Sequence, residues 1–204
     1  MNTKTNLFSW LTIIGIVVFG FLYIYAASLY PGGSQINTDS IGHDWLNNYW
    51  CDLTSPKAIN RQENSASSVA IFAMFILCFS FMVFFINFSK NLASTVFGKY
   101  TIPVSGGAAM FFALFIFTTY HNTMIIVASL FGLPAVIGIL LEIYRSELYW
   151  YKLFGVVSLL ALAICNILYY GDIGIAYLPL IQKMAFVVVL GWVAGLSVKM
   201  LKMK

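Results

Sequence analysis

Residues 66–88 read ASSVAIFAMFILCFSFMVFFINF, an apolar run without a single Asp, Glu, Lys or Arg. It reaches the roughly 20 residues that cross a bilayer. Similar runs recur along the rest of the chain, at about 7–29, 102–119, 123–143, 149–170 and 176–198. The whole 204-residue chain is 61% hydrophobic and 9% charged, with a mean hydropathy of +0.88. Soluble domains carry about a quarter charged residues. The reading is therefore an all-α, polytopic membrane protein with six transmembrane helices in one domain.

Immediately before the 66–88 run lies the one long polar segment, 30–65. Pro31-Gly32-Gly33 ends the first span, which is read as a retained helix with Tyr23, Tyr25 and Tyr30 as interfacial anchors. Within the segment, Trp45, Leu46, Tyr49, Trp50 and Leu53 recur at helical spacing. This predicts a short amphipathic helix lying on the membrane or capping the bundle. Asn64 or Ser65 is the expected N-cap of the second span.

After it the connections shorten. Only Tyr120-His121-Asn122 separates the third and fourth spans, and Gly171-Asp172-Ile173-Gly174 turns the fifth into the sixth. Ser105-Gly106-Gly107 is a close-packing patch. With six spans, Lys4, Lys90, Lys99, Arg145, Lys152, Lys199, Lys202 and Lys204 fall on one side, and only Lys57 and Arg61 lie in loops on the other. The positive-inside rule then places both termini in the cytoplasm, the polar segment outside, and the chain in the inner (plasma) membrane. The net charge of +4 sits at helix ends, with no basic run interleaved with aromatics, so nucleic acid is not an expected partner. Cys51, Cys78 and Cys165 offer no disulfide framework.

This topology gathers polar residues at the outer end. The polar segment brings His43, Asp44, Asn48 and Asp52. The second span brings Asn64, Ser67 and Ser68, with Asn64 and Ser68 on one face at i, i+4. The third-to-fourth turn brings His121 and Asn122, the fifth span Asn166, Tyr169 and Tyr170, and the sixth Gln182 and Lys183. Lys183 is the sharpest of these, because an ammonium inside a span needs a partner or water. Asp52 and Asp172 are its expected partners, with snorkelling to the headgroups as the plainer reading. His121 is either a structural histidine or a base. Ser67 and Ser68 are either nucleophiles or helix-start packing residues, and Asp52 either acts chemically or caps the folded segment. His43, His121 and Asp52 are the one conceivable three-ligand zinc set, although no HExxH spacing supports it.

The plan of one span, a polar loop and five closely spaced spans resembles that of uncharacterised bacterial six-pass proteins. More distantly, with Asn48-Tyr49-Trp50-Cys51-Asp52-Leu53 followed by Asn64 to Ser68 corresponding to its outward-loop motif, the chain is similar to the family of DRAM, Sfk and the FGF-receptor-activating protein, with Cys51 where Ser is usual. The resemblance implies one span, an outward loop, five closely spaced spans, and a role at membrane lipids or in trafficking. A likeness to the seven-pass hydrolases that include alkaline ceramidases and adiponectin receptors fails, because the chain has two His and no paired His in its last helix.

The leading expectation is a lipid- or amphiphile-binding membrane protein without a cofactor, its outward pocket lined by Asp52, Asn64, Ser68, His121, Asn122 and Lys183. The alternative is an intramembrane hydrolase or transferase acting on lipid through His121 and Asp52, with or without metal. A second alternative is a small transporter, in which Gly132, Pro134 and Gly138 would break the fourth helix.

Overall fold

The apolar runs form helices, each satisfying its own backbone hydrogen bonds as a lipid environment demands. The structure, a computed structural model, describes residues 3–146 and 148–203, with side chains described from residue 6 onward. Lys204 and the side chain of Lys4, both counted in the charge bias, lie outside the described residues. The helices are α1 (Thr3–Leu29), α2 (Ser67–Asn91), α3 (Val96–Ala113), α4 (His121–Tyr144), α5 (Tyr149–Gly171) and α6 (Leu178–Lys202). Short 3-10 turns occupy Trp50–Thr54 and Ile175–Tyr177. The chain is all-α. Five segments are long and apolar enough to cross a membrane: α1 from Asn6, α2, α4, α5, and Ile175–Lys202.

Each helix packs on the next in chain order, and α6 returns to α1; the thinnest seam is α4 against α5. Small and polar side chains let the α1–α2 pair approach closely. A Cβ at Gly15 would collide with Ser80. Thr12 Oγ1 donates to Ser80 O at 3.4 Å, and Asn87 Nδ2 to Ser9 Oγ at 2.9 Å. Such groups hold helices together where no water competes for them. Of the expected Gly patch, Gly106 packs against Phe85, whereas Gly107 faces open space.

The third helix begins at Val96 rather than about 102 and ends at Ala113 rather than about 119. Its start is set by Thr95, whose side chain accepts from Gly98 N at 2.9 Å. Beyond Ala113 the apolar run becomes tight turns, with Phe115 N bonded to Phe112 O and Ile116 N to Ala113 O. Pro103 therefore sits inside α3 rather than near its start. His121 and Asn122 belong to the first turn of α4 rather than to the connection. Pro134 lies within a continuous α4, so the fourth helix does not break there.

The segment between α1 and α2 is folded, as expected, but not as a helix over 45–53. Asp44 and Asn48 turn the chain through their side chains. Asp44 Oδ1 accepts from Leu46 N and Asn47 N, and Asn48 Oδ1 accepts from Asp44 N at 2.8 Å. These bonds compete with helical ones, and only Trp50–Thr54 winds up. Trp45 and Leu46 remain exposed while Leu53 is fully buried. Gly33, at φ 85°, threads a site where a Cβ would strike the backbone of Ile59 and Asn60. Tyr30 Oη accepts from Ile59 N at 3.0 Å, which ties the segment's two ends together.

Candidate functional site

The folded segment is fastened to the bundle at Trp50 and Lys183. Trp50 N donates to Gln182 Oε1 at 3.2 Å, and Tyr23 Oη donates to Trp50 O at 3.4 Å. The indole packs between Tyr23 and Phe186, with ring centroids 4.6 and 6.0 Å away. Next to Gln182 on α6, the buried Lys183 ammonium donates to Asn48 O and, at 3.1 Å, to Pro179 O. It also lies 6.0 Å from the Trp50 ring centroid. Two carbonyls and a ring face thus stabilise this cation. Neither of its expected carboxylate partners forms an ion pair with it among the described residues. Asp172 instead holds the left-handed cap after α5.

Asp52 faces back into its own segment. Its Oδ2 accepts from Tyr49 N at 2.7 Å, Asn48 Nδ2 at 3.1 Å and Gln35 Nε2 at 3.5 Å. Burial raises its pKa, and these hydrogen bonds together with the more distant Lys183 charge oppose that rise. Asn64 works as a brace: its Nδ2 reaches the carbonyls of Asp52, Leu53 and Ser55, while its Oδ1 accepts from Ala66 N at 3.1 Å. Ser67, not Ser68, holds the segment, through Thr54 O at 2.9 Å; Ser68 is exposed.

His121 and Asn122 stand apart from this group. His121 Nδ1 meets Ile116 O at 2.5 Å, closing the turn before α4. Asn122 Oδ1 accepts from Tyr169 Oη at 3.2 Å, linking α4 to α5. Burial raises the pKa of Tyr49, and the nearby Tyr169 phenol adds a small part to that rise. Asn166 bonds back to Leu162 O on its own helix.

His43 and Trp50 present the least explained chemistry. His43 stacks edge-on between Tyr30 (5.6 Å) and Trp45 (5.1 Å), and Trp45 meets Trp50 edge-on at 6.3 Å. Within this cluster, Nδ1 and Nε2 of His43 and Nε1 of Trp50 are buried without a hydrogen-bond partner. Native interiors seldom leave such groups unmet. Burial, reinforced by Lys183 and opposed by Asp44, pushes the imidazole down to about 4, so the ring is neutral near pH 7. The hydrogen bond from the Asn47 side chain and those from the Leu46 and Asn47 amides hold Asp44 below its usual range against the effect of burial. Cys51 is pushed up to about 12 by burial and is an inert thiol at neutral pH.

Among the described residues no three His, Cys, Asp or Glu side chains gather closely enough to hold a metal ion, so His43, His121 and Asp52 do not form a ligand set. Trp50 was legible as a docking aromatic, but nothing in the sequence marked its indole N–H as unpartnered. Glu142 was passed over altogether. It is buried near the opposite end of the bundle, where it accepts from the amide and hydroxyl of both Ser94 and Thr95. The rule that singled out Lys183, an ionisable group inside a span, applies equally to it. Comparison with protein-family models, curated proteins and solved structures gave no match.

Proposed function

We propose that this chain is a six-pass membrane protein that binds an amphiphile, whose polar head is received beneath the folded segment between α1 and α2. The observation that carries this is the set of buried, unpartnered nitrogens on His43 and Trp50. A neutral imidazole offers one donor and one acceptor, and the indole one more donor. Each buried group left unmet costs ~1–3 kcal/mol. A head group bearing carbonyl or ether oxygens and a hydroxyl answers all three, while the rings of Tyr30 and Trp45 cover its apolar part. Lys183, Asp52 and Asn48 hold the segment over that place.

In this reading α3, which packs between α2 and α4, is the sixth span. The cation-rich end is cytoplasmic, with both termini, and the folded segment faces outward from the plasma membrane. The resemblance to the bacterial six-pass proteins and the DRAM group has the same layout. Binding is favoured over hydrolysis because the described residues offer no paired nucleophile and base: Cys51 is inert, Ser68 is exposed, and His121 is bonded to a carbonyl.

The test is thermal unfolding of the purified protein with added monoacylglycerol, whose head carries an ester carbonyl and hydroxyls. Wild type is expected to gain stability, and His43→Phe and Trp50→Phe to lose most of that gain. No gain in wild type, or an equal gain in both variants, rejects the site. Release of free fatty acid that Asp52→Asn abolishes would favour the enzymatic alternative.

A further inference from the structure

We infer a second lipid site at the opposite end of the bundle, a groove between α4 and α5 that takes an acidic phospholipid from the surrounding membrane. The groove encloses about 210 Å³ and is lined by Ile137, Leu140, Leu141, Tyr144, Lys152 and Val156. Its long wall, from Ile137 to Tyr144, covers about 10 Å at 1.5 Å per residue. That is a large part of one leaflet of a hydrocarbon core about 30 Å thick. The groove lies along the thinnest seam in the ring of helices.

Its shape is built by packing on either side. Gly155 lets α5 approach α4 and α6: a Cβ there would stand 2.6 Å from Leu140 Cδ2 and 2.7 Å from Trp192 Cζ2. Trp192 Nε1 donates to Tyr151 O at 2.9 Å and fixes the start of α5. The neighbouring Val156, Leu141 and Ile137 are left facing the bilayer. Apolar walls of this kind suit an acyl chain.

Charge selects the head group. Lys152 is the one charged residue lining the groove among the described residues, and it sits in the first turn of α5 where the apolar run ends. Its ammonium lies 5.3 Å from the Tyr144 ring centroid. No carboxylate among the described residues pairs with it. Lys90, Lys99, Arg145, Lys199 and Lys202 lie near the same end of the bundle. The negative charge of Glu142 is already engaged by Ser94 and Thr95. An acyl chain along Ile137 and Leu141 brings a phosphate to Lys152 in the interfacial layer, where a basic side chain attracts an anionic head group.

The experiment offers the purified full-length protein an equimolar mixture of phosphatidylglycerol and phosphatidylcholine and reads retained lipid by native mass spectrometry. Wild type is expected to retain phosphatidylglycerol severalfold over phosphatidylcholine. Lys152→Gln is expected to lose the preference but keep some lipid, and Leu141→Trp, which fills the groove, to retain neither. Both positions are partly exposed, and unfolding curves check that the variants fold. Equal retention of the two lipids by wild type, or a preference that survives both substitutions, overturns the site. His43→Phe is expected to leave this retention intact, so the two lipid sites fail separately.

Discussion

Ser89 donates its hydroxyl to the carbonyl of Lys99 at 2.7 Å, and Lys99 is the residue four positions before Pro103. Proline has no amide hydrogen, so inside α3 it leaves the carbonyl of residue i−4 without its helical donor. Ser89, from α2, supplies the missing bond across the helix interface. This lets Pro103 lie within α3 without ending it. Ser89→Ala is expected to destabilise the protein by ~1–2 kcal/mol. In a Pro103→Ala background the amide returns and the same substitution is expected to cost much less. Thermal unfolding across the four variants measures the coupling; equal Ser89→Ala penalties in the two backgrounds would sink this account.

Glu142 plays the corresponding part at the start of α3. Its carboxylate takes bonds from the amides of Ser94 and Thr95, at 2.7 and 3.2 Å, and from both hydroxyls. It lies at a helix N-terminus, where negative charge is favoured. Glu142→Ala strips these donors of their acceptor and is expected to cost ~2–4 kcal/mol, with Glu142→Gln costing about half as much. Gly98 packs directly on this carboxylate, so Gly98→Ala is expected to destabilise through the same contact. Unfolding midpoints within wild-type error for all three variants would overturn the assignment.

The helical architecture was readable because lipid leaves an apolar run few options. The five long segments fall within a few residues of where hydropathy put them. Hydropathy could not locate the ends of α3. Phe111 to Phe117 is as apolar as a span, yet its second half turns, while the less apolar Val96–Lys99 is helical because Thr95 and Glu142 cap it from elsewhere. The segment before α2 failed similarly. Trp45 to Leu53 has helical spacing, but side-chain bonds from Asp44 and Asn48 outcompete that pattern. Lys183 was visible as an anomaly. Its partners were not, because they are the backbone carbonyls of Asn48 and Pro179, which carry no signature in composition.

His43 makes the folded segment sensitive to acid. An imidazole titrates near 6.5 when unfolded, and here burial pushes it down to about 4. Between those values the unfolded chain binds the extra proton, so the stability contribution is complete above about pH 6.5 and is lost as pH falls through about 4. The difference corresponds to ~3 kcal/mol, and the ring's partial exposure reduces it to roughly half. Asp52 acts in the opposite sense, since burial raises its pKa and protonation relieves that cost. Asp44, held low by the Asn47 side chain, loses its own contribution only at more acidic pH. Lys183, the other charge acting on the ring, stays cationic throughout this acid range. Unfolding followed from pH 7 to pH 4 is expected to show falling stability in wild type and a flatter profile in His43→Phe. Parallel profiles would remove His43 as the cause.

Lys183 joins the folded segment to α6 through backbone carbonyls, so substituting it tests whether that attachment depends on one side chain. Methionine fills similar space but donates nothing, leaving the carbonyl of Asn48 without its charged partner. Hydrogen bonds to charged groups contribute about 1.5–3 kcal/mol, and burial prevents water from replacing this one. Lys183→Met is therefore expected to speed amide hydrogen exchange across Asn48–Thr54 by ten- to a hundredfold, with α2 and α3 unchanged. Gln182→Ala, which removes only the neutral acceptor for Trp50 N, is expected to produce a smaller change over the same residues. If exchange there is unaltered in Lys183→Met, the packing of Trp50 against Tyr23 and Phe186 holds the segment alone, and the ammonium is dispensable to it.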